Sequence, residues 1–289
     1  MIGQFIANGV ITGIIYSLMA IGFALVYNTT RIFHIAIAGI YVFAAYMFWF
    51  AKWYWNIPLH AAFFVAVALT MLLSLLTEIA VYRPLKNRKA STNVMMIASI
   101  GLMTIIINLI AMFFGNETKV IENKIVAPYY WGDIIITLPQ MYQICVGGAV
   151  ILFFMFMLLW TKWGLKLRAL STDETLFETL GFDTRLTRTS IFLVSGALIA
   201  TASCLTVYDL GLDPNMGMSV MINAIVAMII GGVGKFNTCV IGGIVLGVLQ
   251  SLTVYSFASN WQNAVTFLVL LIFLFLRPQG IAGYKQRTV

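Results

Sequence analysis

The residues that could carry chemistry are few, and their spacings argue against a catalytic centre. Gly231-Gly232-Val233-Gly234-Lys235-Phe236 comes nearest to a phosphate-binding loop. Such a loop needs a glycine five residues before its Gly-Lys pair and a Ser or Thr after it. Ile229 and Phe236 stand in those places, so the segment does not cradle ATP. It reads instead as a flexible hinge or re-entrant turn, with Gly231, Gly232 and Gly234 letting backbone approach a pore or a neighbouring helix. His34 and His60 stand alone, far from any HExxH spacing. Cys145, Cys204 and Cys239 fall in apolar segments without a CxxC pair and read as small buried residues. No serine sits in a GxSxG elbow. The sequence therefore assigns no catalytic residue and no metal ligand.

One polar interval has a different use. Gly164–Asp183, GLKLRALSTDETLFETLGFD, lies between greasy segments. From Thr172 it predicts a short helix: Thr172 caps the N-terminus, Asp173 and Glu174 fill the first turn, and Gly181 stops it. Leu176 and Leu180 lie at i, i+4 with Phe177 on a neighbouring face, so a small apolar ridge projects from a charged helix. Such a ridge suits pressing on a partner outside the bilayer. A surface helix lying on its own protein is the competing reading.

The elements that must position these residues are set by hydropathy. The chain has 289 residues, 61% of them hydrophobic and 9% charged, with mean hydropathy +0.96. Soluble domains carry about 25% charged residues, so lipid is the main solvent. The aromatics do not alternate at a period of two, which argues against a β-barrel. A spanning helix needs about 20 mostly apolar residues. Candidate spans are Phe5–Tyr27, Ile35–Ala51, Leu59–Val81, Val94–Phe114, Tyr142–Trp160, Thr189–Val207, Met218–Gly232, Thr238–Ser256 and Trp261–Leu276. The seventh and ninth are short, so eight or nine spans are expected in a single all-α transmembrane bundle over residues 1–289. No cleavable signal peptide is expected, because the N-terminus lacks a basic n-region and its apolar run is long enough to span.

Basic residues orient the bundle. With one crossing per candidate, Lys52, Lys119 and Lys124 lie outside and the other 14 of the 17 Lys and Arg lie inside. That asymmetry puts the N-terminus outside, the C-terminus in the cytoplasm, and the loop 161–188 on the cytoplasmic side. The charge of +7 follows from this bias and does not imply nucleic acid. Outside, Tyr129-Tyr130-Trp131 suits an interfacial belt.

Polar residues within the spans are scarce. No span carries a carboxylate near its centre; Glu78 sits at a cytoplasmic end and Asp209 just past an outer end. That weakens an ion-coupled secondary carrier, which usually needs intramembrane ionisable or unwound ion sites. Ser219 and Asn223 interrupt an apolar span and are candidate contacts for a polar cargo, with helix–helix hydrogen bonding as the competing role. Gly9, Gly13 and Ser17 recur every four residues, as do Gly243, Gly247 and Ser251. Such stripes permit close helix approach and hint at a repeat.

These residues taken together resemble the membrane permeases of bacterial ABC importers for branched-chain amino acids, the shorter of that family's two permease types. The likeness runs through Asn8-Gly9 to Tyr27, Arg31-Ile32-Phe33-His34-Ile35-Ala36, and Tyr41 to Tyr46. It continues in Gly164, Arg168-Ala169-Leu170, Leu180-Gly181 and Asp183. It closes with Asn215-Met216-Gly217, Gly231-Gly232-Val233-Gly234, Gly242-Gly243, Gly247 and Arg277-Pro278-Gln279-Gly280-Ile281. Two departures stand out: Ile37 and Ala38 replace the family's usual histidine and glycine after His34, and Leu176-Phe177 replaces its paired alanines.

The resemblance implies a multi-pass protein of the bacterial cytoplasmic (inner) membrane with no cofactor of its own. ATP and Mg would be bound by two separate ABC ATPase subunits, whose groove would receive the loop bearing Arg168, Thr172, Asp173, Glu174, Leu176, Phe177, Leu180 and Gly181. It also implies a second, related permease as heterodimer partner and an extracytoplasmic binding protein. The translocation path would involve His34, Ser219, Asn223, Gly231, Gly232 and Gly234. A permease for urea or short amides fits the same residues, and an ion-coupled secondary transporter is the alternative from another class. A membrane enzyme would need clustered catalytic groups near a headgroup plane, and none is seen.

Overall fold

The computed structural model describes residues 2–121, 129–131, 134–277 and 280–281. Lys124, Pro278, Gln279, Lys285 and Arg287, used in the sequence reading, lie outside the described residues. The chain forms α1 (Ile2–Thr30), α2 (Ile37–Trp53), α3 (Leu59–Asn87), α4 (Thr92–Phe114), α5 (Leu138–Trp160), α6 (Lys162–Thr172), α7 (Glu174–Thr179), α8 (Thr184–Leu210), α9 (Met216–Gly231), α10 (Phe236–Ser256) and α11 (Ser259–Leu276). A two-stranded antiparallel hairpin, β1 (Tyr129–Trp131) and β2 (Ile134–Ile136), is the exception to the helical architecture among the described residues.

Seven helices are long and apolar enough to cross a membrane, and α2 and α9 are shorter apolar helices. The short pair is therefore the second and seventh segments. The ninth, α11, has the length to cross because it begins at Ser259, before the apolar run proper. The short helices are each preceded by partly buried, non-helical chain. Residues 31–36 bury Ile32, His34 and Ala36, and the Ala36 N–H donates to Ser99 Oγ at 2.8 Å. A buried amide needs such a partner.

Burial grades the bundle into centre and periphery. The most apolar windows of α1 and α8 are 78% and 72% buried, against 17% for α4 and 11% for α11. At the centre, Ser195 Oγ of α8 donates to Gly22 O of α1 at 2.8 Å. Around this pair the packing is reciprocal: α1 lies on α10 as α8 lies on α3, α2 on α3 as α9 on α10, and α1 on α9 as α8 on α2. Exchanging α1–α4 with α8–α11 leaves that pattern unchanged. Because α1 ends where α8 begins, near Arg31 and Arg188, the two halves form an inverted repeat.

The two small-residue stripes are not equivalent positions of that repeat, since α1 corresponds to α8 and α10 to α3. They are the two sides of one interface. A Cβ on Gly13 would stand 2.7 Å from Ile244 Cα, and one on Gly243 would stand 2.5 Å from Ser17 N. Backbone meets backbone there, so neither side can yield.

All the turns rich in Lys and Arg fall at one end. At this basic end, Asn28 Oδ1 accepts from Gly234 N at 3.2 Å and Arg31 reaches Ser171 O at 3.4 Å. At the opposite end, Gln4 exchanges hydrogen bonds with the Ile135 backbone, and Lys119 pairs with Leu212. The exposed Tyr129 and Tyr130 sit on β1 at this end.

Within α3, residues Glu78–Tyr82 form a π-turn just before Pro84. Proline lacks an N–H and its ring crowds the carbonyl four residues back, and a widened turn relieves both problems. The turn directs Glu78 and Tyr82 inward, where both are buried. A second π-turn, Gln143–Gly147 in α5, buries Gln143.

Candidate translocation path and coupling surface

A polar cavity of about 490 Å³ opens among α1, α5, α8, α9, α10 and α11. Its inner wall is a hydrogen-bonded chain of side chains. Tyr16 Oη donates to Gln250 Oε1 at 2.7 Å, and Asn223 Nδ2 donates to Tyr16 Oη at 3.2 Å. Gln250 Nε2 donates to Asn223 Oδ1 at 3.1 Å and to Thr266 Oγ1 at 2.5 Å. Four helices thus share one network, in which the Asn223 and Gln250 amides bond each other and the Tyr16 and Thr266 hydroxyls, partners that polar groups in an apolar medium require. Further out, Gln143 Nε2 donates to Asp209 Oδ2 at 3.3 Å and to Leu205 O at 3.2 Å. Ile11, Ile15 and Val220 supply apolar wall.

A second cavity of about 300 Å³ adjoins the first through Ser219, Asn223 and Asn263. Ser219 is exposed and its hydroxyl donates to Met216 O at 3.0 Å, while Asn223 is buried in the network. Both residues singled out in the sequence therefore border the cavities. Tyr16, Gln143, Gln250 and Asp209 were missed, though glutamines within apolar runs are a signal of their own. Asp209 belongs to the last turn of α8 rather than lying beyond it, because the helix continues to Leu210 before Gly211 ends it.

The other proposed path residues lie elsewhere. His34 is fully buried away from both cavities, with Nδ1 2.6 Å from Tyr82 Oη. Tyr82 donates to Ser99 Oγ at 2.9 Å, which leaves its oxygen to accept from the histidine N–H. Burial holds the imidazole pKa down at about 3, so His34 stays neutral and acts as a packing and hydrogen-bonding residue. Gly231, Gly232 and Gly234 form the tight turn between α9 and α10 at the basic end, with φ of 111° at Gly232 and 98° at Gly234. Gly231 packs against the Thr238 backbone. Cys204 and Cys239 are buried as expected, but Cys145 is exposed on α5, because its turn faces away from the core. Among the described residues no cluster of His, Cys, Asp or Glu could hold a metal ion.

At the basic end the polar interval folds as two helices rather than one from Thr172. Thr172 ends α6, and its hydroxyl turns back to Arg168 O at 2.9 Å. Asp173 is the cap of α7, accepting from Thr175 N at 2.8 Å and Leu176 N at 3.1 Å. A carboxylate in extended backbone satisfies two first-turn amides and complements the helix dipole better than a hydroxyl. Gly181, at φ 82°, closes the helix with Phe182 N bonded to Phe177 O at 3.3 Å.

This geometry splits the predicted ridge. Phe177 is 1% exposed and stacks on Phe182 at 5.1 Å, whereas Leu176 and Leu180 are 57% and 64% exposed. Phe177 anchors α7 to its own protein, and the two leucines face out. Glu174 pairs with Lys86 of α3 and lies 3.8 Å from Arg188 Nε of α8. Arg168 folds its Nε onto Gly164 O at 3.3 Å. The segment is thus fastened to both halves of the repeat while exposing an apolar edge.

Comparison with known proteins decides the family. The family model for the permease component of branched-chain amino acid transport systems matches residues 5–274. The chain belongs to this family. It is 25% identical to the high-affinity branched-chain amino acid transport system permease protein BraD of Pseudomonas aeruginosa, over 98% of this chain and 96% of BraD. It is 24% identical to the permease protein LivH of Escherichia coli K12, over 96% of this chain and 94% of LivH. A probable LivH of Methanocaldococcus jannaschii is 26% identical over 96% of this chain and 92% of its own. In three dimensions the chain is similar to PsaBC from Streptococcus pneumoniae in complex with Fab, with TM-score 0.55, 16% identity, and coverage of 96% of this chain and 97% of that one. That likeness bears on the fold alone.

Proposed function

We propose that this chain forms part of the translocation path of an ATP-driven importer for branched-chain, hydrophobic amino acids. The observation that carries the reading is the family match across residues 5–274, joined to a cavity lined mostly by amide and hydroxyl side chains with Ile11, Ile15, Leu210 and Val220 among them. A zwitterion with an aliphatic side chain needs that combination. The basic end faces the cytoplasm by the positive-inside rule, all nine apolar helices cross, and the membrane is the inner membrane of a bacterium. The chain holds no cofactor; ATP and Mg are bound by two ABC ATPase subunits that dock on Leu176 and Leu180 as a helix-in-groove contact. A second, related permease covers the exposed side of α9 around Met218 and Ser219, and an extracytoplasmic binding protein delivers cargo at the opposite end. The inverted repeat gives two halves that rock about the cavity.

The test is uptake of labelled leucine, isoleucine and valine by proteoliposomes holding the chain with its co-purifying subunits. Uptake that needs ATP and survives collapse of ion gradients supports the importer. Uptake that persists without ATP and follows an ion gradient overturns it, and ATP-driven uptake of urea or acetamide alone replaces the cargo.

A further inference from the structure

The outer part of the polar cavity contains a carboxylate that no Lys or Arg meets among the described residues. Asp209 stands at the end of α8 away from the basic end, half-buried, and one of its oxygens takes the Gln143 amide at 3.3 Å. Among the described residues, no Lys or Arg lines this cavity or the one adjoining it. The other side chains around it are neutral amides, hydroxyls and aliphatic groups, Asn8, Thr12 and Gln262 among them. A carboxylate facing a cavity within an apolar bundle is costly unless something positive meets it. Gln143 supplies orientation but no charge: its two N–H groups are spent on Asp209 and Leu205 O. It owes its inward position to the π-turn of α5, a kind of distortion concentrated at functional sites.

We infer that Asp209 is the cation-recognising group of this cavity, receiving the ammonium of a primary-amine cargo while Gln143 holds the carboxylate in place. The inference deepens the importer reading and rests on it for the identity of the cargo. Asp209 Oδ1 accepts an ammonium hydrogen as a charge-assisted bond. Ile11, Ile15 and Val220 line the same cavity for an aliphatic side chain, and the second N–H of Asn223 is left for the cargo carboxylate. A neutral amide such as urea can offer N–H groups to Asp209 but no positive charge, so the carboxylate favours amino acids over short amides as cargo.

Two measurements test it on the complete importer. The first is ATP-driven leucine uptake by Asp209→Asn and Asp209→Glu. Asparagine keeps the size and the hydrogen bond from Gln143 but not the charge. Asp209→Asn is expected to lower uptake roughly tenfold or more, the loss of one charge-assisted bond, with melting temperature unchanged; Asp209→Glu is expected to recover most of it. The second is independent of transport: thermal stabilisation of the purified complex by isopentylamine and by 4-methylpentanoate, which carry the leucine side chain with only the amine or only the acid. The amine is expected to stabilise the wild type and not Asp209→Asn, and the acid to be indifferent to the substitution. Uptake by Asp209→Asn within twofold of wild type, or equal stabilisation of both proteins by the amine, overturns the inference. Should the wild type import no branched-chain amino acid while the amine effect still requires Asp209, the cargo reading falls and the cation site stands.

Discussion

Arg188 Nε lies 3.8 Å from Glu174 Oε1, joining the start of the central helix α8 to the first turn of α7. The guanidinium is almost wholly buried, while the Glu174 side chain is about one-third exposed and also holds Lys86. Glu78 lines the same 210 Å³ cavity as Arg188. One arginine therefore faces a carboxylate on α7 and another on the π-turn of α3. Arg188 thereby stands between α7, α8 and the π-turn of α3.

Removing the two partners should have unequal effects. Glu174→Gln leaves a group that water can solvate, so its cost is that of a surface pair, about 0–1 kcal/mol. Arg188→Ala removes a buried charge that faces Glu78, with Arg83 and Lys86 remaining beside that carboxyl, so it should cost more than Glu174→Gln. Thermal unfolding in detergent should place Glu174→Gln within a few degrees of wild type and Arg188→Ala well below. ATP-driven uptake should nevertheless fall severalfold in Glu174→Gln, because α7 is then held to the bundle more loosely. Wild-type uptake in that variant would mean that the pair has no part in coupling.

The division of labour within α7 gives a second contrast. Leu176→Asp changes an exposed residue and should leave stability within about 0.5 kcal/mol of wild type while uncoupling ATP hydrolysis from uptake. Phe177→Ala empties a packed site and should cost about 3–5 kcal/mol. ATPase assays and melting curves on both variants check this. Equal destabilisation by both would contradict the outward placement of Leu176.

What the sequence made legible, and what it did not, follows from the range of the interactions. Each of the nine apolar segments is a helix, because length and hydropathy are local properties. The cap of α7 was displaced by one residue because Thr172 and Asp173 are both good caps, and the choice depends on where α6 ends. Phe177 was placed on the ridge because α7 is under two turns long, too short for periodicity to say which side meets the protein. The cavity was half legible. Ser219 and Asn223 are conspicuous within one span, but Tyr16, Gln143, Asp209 and Gln250 come together only when α1, α5, α8 and α10 pack. The two glycine stripes were visible, yet their meeting as one interface needed the antiparallel placement of α1 and α10.

That interface makes a sharp steric prediction. A methyl on Gly13 would meet Ile244 Cα at 2.7 Å, with the Gly243 carbonyl 3.1 Å away. These are backbone atoms and cannot swing aside, so Gly13→Ala should cost about 1–3 kcal/mol through overpacking, and Gly13→Val should prevent accumulation of folded protein. Gly101, on the exposed side of α4, has nothing within reach of an added Cβ, so Gly101→Ala is the control and should melt like wild type. Melting curves and yields of monodisperse protein decide between them.

The polar network gives the last prediction. Gln250 donates to Asn223 and Thr266 and accepts from Tyr16, so Gln250→Leu breaks three hydrogen bonds among four helices at once. Interhelical hydrogen bonds in membranes contribute about 0.6 kcal/mol each, and the apolar replacement removes the desolvation penalty of the amide itself. The net loss of stability should therefore be small, under about 2 kcal/mol. Asn223→Leu should cost a similar amount. If the network only ties helices together, both variants lose a little stability and keep their cargo selectivity. If it also shapes the cargo cavity, leucine, isoleucine and valine uptake should change unequally, with the apparent KM moving more than the maximal rate. Competition assays among the three amino acids, run beside melting curves, separate these roles: a proportional loss of all three uptakes that tracks the loss of folded protein assigns the network to packing alone.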